Sequence, residues 1–347
     1  MKRIHGFARR ASSLVLVAVA SLLFAMPASA ALGNVLDRDD ARAFIAEMAS
    51  KQGFDAKELE ALFARVELRQ DIIDLMTRPA EGKPWKDYRK IFMTDKRIDG
   101  GKQFCAENAH WLGRAEEVFG VPPEIVTALI GVETHYGSIT GRHRVIDALS
   151  TLAFAYPPRA RFFRSELAQF LVLAREEGWD PLEPKGSYAG AMGWGQFIPS
   201  SYRAYAIDFN KDDHRDLWGS KPDIIGSIAA YLKKHGWRQG DLIATTATVQ
   251  GDAYKTLVND DLKPRTPFQA LKEHGVTAAA QSMPTTEVKL MEMDAETGPE
   301  HWVGFHNFYV ITRYNHSHRY ALVVTQLAGE IRSSCQHADQ PARNPVN

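Results

Sequence analysis

The stretch PPEIVTALIGVETHYG, Pro122 to Gly137, constrains the fold more than any other part of the chain. Its paired prolines suit a helix start and Gly137 suits a stop. At about 100° per residue, Ile125, Val126, Leu129, Ile130, Val132 and Tyr136 share one arc. Glu124, Thr127, Gly131, Thr134 and His135 fall on the other side. Glu133 lands inside the apolar arc, between Leu129 and Val126. A solvated helical Glu gains support from an i,i+4 partner, but the residues four away are Leu129 and Gly137. Carboxylates are rarely buried without a reason. Burial disfavours the charged form and raises the pKa, which is what a general acid needs.

Lys2, Arg3, Arg9 and Arg10 precede the apolar run LVLVAVASLLFAM, followed by PASA and Ala31. A charged region, a short apolar core and a small-x-small site read as a secretory signal peptide cleaved after Ala30. The run is short for a membrane span, and no Cys near the cleavage site offers a lipid anchor. The expected mature protein is therefore soluble and periplasmic, with no membrane anchor once the signal is cleaved. It keeps 317 of 347 residues, enough for a proper core. The balance of 42 basic and 42 acidic residues supplies no global field to hold nucleic acid. Cys105 and Cys335, the only cysteines, make neither a disulfide framework nor a metal site. Cys105 falls in a helical segment and Cys335 in a polar tail, and their pairing stays open.

Short amphipathic helices are predicted from Asp37 to about Pro79, followed by GKPWKDYRKIFMT as a basic, aromatic connector. A second helical block runs from about Lys102 to Trp237. ATTATVQ and TEVKLMEM then carry strand signals, NFYVITRYN looks like a strand, and YALVVTQLAGEI reads as a closing helix.

Two further stretches carry chemistry. KGSYAGAMGWGQFIPSSY, Lys185 to Tyr202, has glycines that allow close backbone approach to a ligand. Their spacing fits no dinucleotide or phosphate fingerprint. Its aromatics, Ser and Gln suit a sugar, although a turn packing its own aromatics would read the same way. In DFNKDDHRDLW, Asp208, Asn210, Asp212, His214 and Asp216 alternate as in a calcium loop. Asp213 takes the place of the usual Gly, and Gly219 that of the final Glu, which Asp223 could replace in a modified loop. A solvated acidic loop is the alternative. No zincin motif and no Gly-x-Ser-x-Gly elbow is present.

GVETHYG, the glycine-rich stretch, the DFNKDDH loop, IGSIAAYLKKHGW and NFYVITRYNHSHRYA together resemble the lytic murein transglycosylase B family of glycan-cleaving enzymes. The likeness holds in family order from about Tyr88 to Gln326. It implies a mainly α (α+β) fold: a lysozyme-like helical core with a flanking helical domain and a small β-containing subdomain. The expected boundaries are a signal peptide over 1–30, a helical domain over 31–101 and a catalytic core over 102–240. A β-containing subdomain over 241–300, a return to the core over 301–334 and a disordered tail over 335–347 complete the chain.

The resemblance also implies a lyase reaction, cutting the β-1,4 bond between N-acetylmuramic acid and N-acetylglucosamine in peptidoglycan and leaving a 1,6-anhydro end. Glu133 matches the family's single acid/base. Ser187 and Gln196 match positions lining the site, and Tyr314, Asn315 and Tyr320 match a cluster that returns to the cleft. Tyr88 and Tyr231 match aromatics along the glycan groove. Arg159 matches one of two adjacent arginines for a peptide or lactyl carboxylate, with Pro158 in place of the other. The acidic loop, with Asp208, Asn210, Asp212, His214 and Asp223, matches a structural calcium site, and the chemistry itself needs no cofactor. Glycan strands are the expected partner of a monomer, with cell-wall synthases or amidases as further partners. A non-catalytic peptidoglycan-binding protein and a muramidase that uses water are the alternatives.

Overall fold

The computed structural model describes residues 32–77 and 83–336, so the expected signal peptide and the chain beyond Gln336 lie outside the described residues. The first helices are α1 (Asp39–Gln52), α2 (Ala56–Phe63), α3 (Gln70–Met76) and α4 (Trp85–Phe92). The connector expected around Trp85 is thus helical, and its Trp85, Tyr88 and Phe92 fall at helical spacing. There follow α5 (Asp95–Glu107), α6 (Ala109–Phe119) and α7 (Pro123–Thr134). Side-chain oxygens of Asp55 and Thr94 cap α2 and α5 by accepting backbone N–H groups of their first turns.

Both arcs of α7 are buried, because α5, α6, α11 (Lys221–Lys234) and α14 (His318–Gln336) surround it. Ile125, Val126, Leu129 and Ile130 are fully enclosed, worth about 1.5–3 kcal/mol each. The polar arc is satisfied rather than solvated. Glu124, 5% exposed, accepts from Arg332 Nε at 3.1 Å, and Thr134 Oγ1 donates to the Trp194 carbonyl at 3.0 Å. The helix stops earlier than its pattern suggests: His135 and Tyr136 adopt left-handed φ of 50° and 56°.

Between α7 and α11 lie β1 (His143–Arg144), α8 (Val145–Phe154), α9 (Ala160–Glu177), β2 (Lys185–Gly186) and α10 (Pro199–Tyr205). Strands β1 and β2 pair antiparallel beside the glycine-rich loop. A second sheet follows, built from β3 (Ala244–Val249), β4 (Thr266–Pro267), β5 (Val276–Ala278), β6 (Glu287–Ala295) and β7 (Gly298–Gly304). Helix α12 (Phe268–Glu273) joins β4 to β5. The order is β4-β6-β7-β3-β5, all neighbours antiparallel. Alternation along β6 fastens the sheet to the rest: Val288 and Leu290 enter a small local core, while Met291 and Met293 enter the main one.

NFYVITRYN, read as a strand, instead forms α13 (His306–Thr312), with Phe308 and Ile311 buried at helical spacing. Cys335, expected in a disordered tail, instead lies in α14 and forms a disulfide with Cys105 of α5, Cα atoms 4.9 Å apart. No helix among the described residues is long and apolar enough to cross a membrane.

Candidate active site

Glu133 is the penultimate residue of α7, and Tyr320 of α14, 3% exposed, donates its hydroxyl to Glu133 Oε1. Glu133 as a residue keeps partial solvent exposure, yet its carboxyl is densely enclosed. Burial pushes its pKa up to about 7, against the smaller lowering effect of the Tyr320 hydrogen bond. The carboxyl therefore carries its proton near neutrality and loses it readily. That is the property inferred from its place in the apolar arc.

Tyr314 stands beside this pair, its phenol held well above the usual range by burial and by Glu133. Its hydroxyl donates to the Gly195 carbonyl at 2.6 Å, tying the turn before α14 to the glycine-rich loop. Tyr231 of α11 packs 4.8 Å from the Tyr314 ring, and its hydroxyl donates to the Arg313 carbonyl at 2.5 Å. Phe197 touches both rings. Tyr88 of α4, 6% exposed, has an electrostatic effect that also raises the pKa of the Tyr320 phenol. Glu133, Tyr231, Tyr314 and Tyr320 thus come together from α7, α11, α14 and the turn before it. Asn315 follows in the same turn, half-buried.

Ser187 and Gln196 shape the loop itself. Ser187 Oγ accepts from the Ala189 and Ala191 N–H groups at 3.2 and 3.1 Å. Gln196, at φ 50°, donates Nε2 to the carbonyls of Thr140 at 3.1 Å and Gly193 at 2.9 Å. Arg159 does not join the cluster. It is exposed, with its guanidinium over the rings of Phe162 at 4.5 Å and Phe163 at 5.2 Å.

The sequence reading missed the supports beneath Glu133. Tyr136 donates to the Arg97 carbonyl at 2.8 Å, while Arg97 Nε donates to the Gly131 carbonyl at 2.9 Å. Gly137, at φ 81°, lies against Trp194 so closely that a Cβ would sit 2.0 Å from the indole. The only local hint was the aromatic and glycine content of THYG and MGWG.

In the acidic loop, carboxylate oxygens of Asp208, Asp212 and Asp223 lie within 4.8 Å of one another. Asp223 is 0% exposed, and its oxygens accept the N–H groups of Phe209 at 2.8 Å and Asp216 at 3.0 Å. Asn210 Nδ2 donates to Asp212 Oδ2, and the His214 N–H donates to Asp212 Oδ1. Asp213 takes the left-handed φ of 68° that the usual glycine would supply. An oxygen-only donor set with a fully buried carboxylate fits a hard cation such as calcium. Asp216 is committed elsewhere, accepting the Trp218 and Gly219 N–H groups.

A buried, protonatable carboxyl hydrogen-bonded by a tyrosine has the chemistry of a general acid. Residues 37–329 match the transglycosylase SLT domain. The membrane-bound lytic murein transglycosylase B of Escherichia coli (strain K12) is 41% identical over 305 residues, covering 85% of this chain and 83% of that protein. Among solved structures, soluble lytic transglycosylase SltB1 from Pseudomonas aeruginosa aligns with a TM-score of 0.81 at 47% identity. That match covers 84% of this chain and 98% of the other. The Escherichia coli lytic transglycosylase Slt35, in complex with calcium, gives 0.81 at 40% identity, covering 88% and 96%. The chain belongs to the transglycosylase SLT domain family and is a lytic murein transglycosylase.

Proposed function

We propose that this enzyme cleaves the β-1,4 bond between N-acetylmuramic acid and N-acetylglucosamine without water, with Glu133 as its one acid/base. The observation that carries this reading is the Glu133 carboxyl, protonated near neutrality and joined to Tyr320. Glu133 gives its proton to the leaving oxygen as the C1–O bond breaks, and the substrate's N-acetyl oxygen stabilises C1. The resulting carboxylate then takes the proton of the muramoyl C6 hydroxyl while O6 bonds to C1, closing the 1,6-anhydro ring. Hydrolytic glycosidases place two carboxylates around the bond. Glu133 receives its hydrogen bond from a tyrosine, and Tyr314, Tyr231 and Phe197 pack together beside that pair.

Tyr314, Asn315, Tyr88 and Tyr231 would line the glycan path, with Ser187 and Gln196 shaping the wall that meets the N-acetyl group. Arg159, exposed as it is, would reach only a peptide carboxylate extending from the strand. Calcium would be held by Asp208, Asn210, Asp212, Asp223 and the His214 backbone carbonyl, bracing the start of α11, with no part in the chemistry. The Cys105–Cys335 bond suits an oxidising compartment and supports export to the periplasm, where glycan strands are the partner.

Mass spectrometry of sugars released from purified sacculi tests the reaction. Anhydro ends are expected; reducing ends would mean hydrolysis by water. Glu133→Gln should abolish release while the protein still binds sacculi, and activity in that variant would overturn the assignment.

A further inference from the structure

Glu300 lies on β7, yet its Oε1 receives two indole N–H groups: Trp85 Nε1 at 2.5 Å and Trp302 Nε1 at 3.1 Å. Trp85, 1% exposed, is the first residue of α4. One turn further on, Tyr88 stacks against it, ring centroids 6.5 Å apart and planes 29° apart. Tyr88 belongs to the same buried core as Tyr320, α4 packs against α14, and Tyr320 of α14 bonds Glu133. Arg89 Nε donates to Gln326 Oε1 at 2.7 Å, fixing α4 to α14. An exposed Lys90–Glu296 ion pair makes a second link to the β6–β7 turn.

We propose that Glu300 is a positioning residue for the proton donor: by holding Trp85 it docks α4 on the sheet and keeps α4, with Tyr88 stacked on Trp85, packed against the α14 helix that carries Tyr320, closing the Tyr320–Glu133 contact to water. This role rests on Glu133 being the acid. It also gives the sheet, which supplies no reacting group, a task in catalysis. Two charge-assisted bonds on one carboxylate oxygen are stronger and more directional than neutral ones, and the surface ion pair contributes little beside them.

The groups that interact with Glu133 are the phenols of Tyr320 from α14 and Tyr314 from the preceding turn, while Tyr88 acts on Tyr320 and Tyr231 on Tyr314. On the supporting side the Arg97 guanidinium is bonded to the Gly131 carbonyl of the same helix. Phenols are uncharged at neutral pH. Water entry is therefore the quantity that α4 controls, and hydration returns a carboxyl towards its ordinary pKa.

The test compares sacculus digestion by wild type, Glu300→Ala, Glu300→Gln, Trp85→Phe and Lys90→Ala across pH. In Glu300→Ala and Trp85→Phe the alkaline limb of kcat should move to lower pH by about half to one unit. Their kcat at pH 8 should fall about tenfold with KM little changed. Glu300→Gln, whose amide oxygen still accepts both N–H groups, should stay within about twofold of wild type. Lys90→Ala should not move the limb. A folded Glu300→Ala with an unmoved limb overturns the proposal, as does an equal shift in Glu300→Gln. If Glu300→Ala does not fold, Trp85→Phe decides by the same criterion. Glu133→Gln runs in parallel: activity there refutes the acid assignment, whereas its inactivity beside an unmoved limb refutes the role of Glu300 alone.

Discussion

Replacing Glu133 by Gln should stabilise the protein at pH 8 and leave its stability at pH 4 nearly unchanged. Burial lifts the Glu133 carboxyl from 4.5 to about 7. Below pH 4.5 the acid is protonated folded or unfolded and costs nothing. Between 4.5 and about 7 the unfolded chain ionises while the folded one cannot, so stability is lost as pH rises through that window. At about 1.36 kcal/mol per pH unit, a rise from 4.5 to about 7 corresponds to about 3 kcal/mol at most. The partial exposure of Glu133 reduces this to about 2 kcal/mol. The amide keeps an acceptor for the Tyr320 hydroxyl and changes little in volume, so the variant isolates the ionisation cost. Urea unfolding of both proteins at pH 4 and pH 8 should show the difference only at the higher pH, with a Tm gain of about 4 °C there. An advantage of equal size at both pH values, or none at pH 8, would refute an acid held protonated by burial.

Tyr320→Phe removes the one hydrogen bond that favours the ionised acid, so the alkaline limb of activity should move up by about one pH unit. That direction is opposite to the one expected for Glu300→Ala, and the pH–rate profile checks both. Calcium at about a hundredfold its dissociation constant should add about 2.7 kcal/mol of stability, read as a Tm rise that Asp223→Asn abolishes. Replacing Cys105 and Cys335 together by Ser opens a link between residues 230 apart in sequence. It should cost about 2–5 kcal/mol in urea unfolding.

The sequence exposed what is local and periodic. Glu133 stood out because a helix repeat fixes which neighbours share its arc, and β6 was legible because its alternation runs through TEVKLMEM. The missed elements have two causes. In NFYVITRYN, aromatic and β-branched residues fit either period, and docking between β7 and α14 decided for the helix. Around Trp85 the helical spacing was present, but a segment of only eight residues is a weak signal when its charges dominate the composition. The disulfide was illegible because the polar composition near Cys335 concealed that α14 continues through Gln336.

The acid itself could be located from its own helix, but its pKa could not. Burial and the Tyr320 hydroxyl act on it in opposite directions, and Tyr320 lies 187 positions away in sequence. No local pattern reports which of two such opposed effects is larger. Burial wins because α7 lies among other helices on both of its arcs, and because the phenols that reach Glu133 bring hydroxyls without charge. A Lys or Arg in place of Tyr320 would favour the carboxylate far more strongly and deprive the proposed acid of its proton. A tyrosine orients the acid while leaving its proton in place.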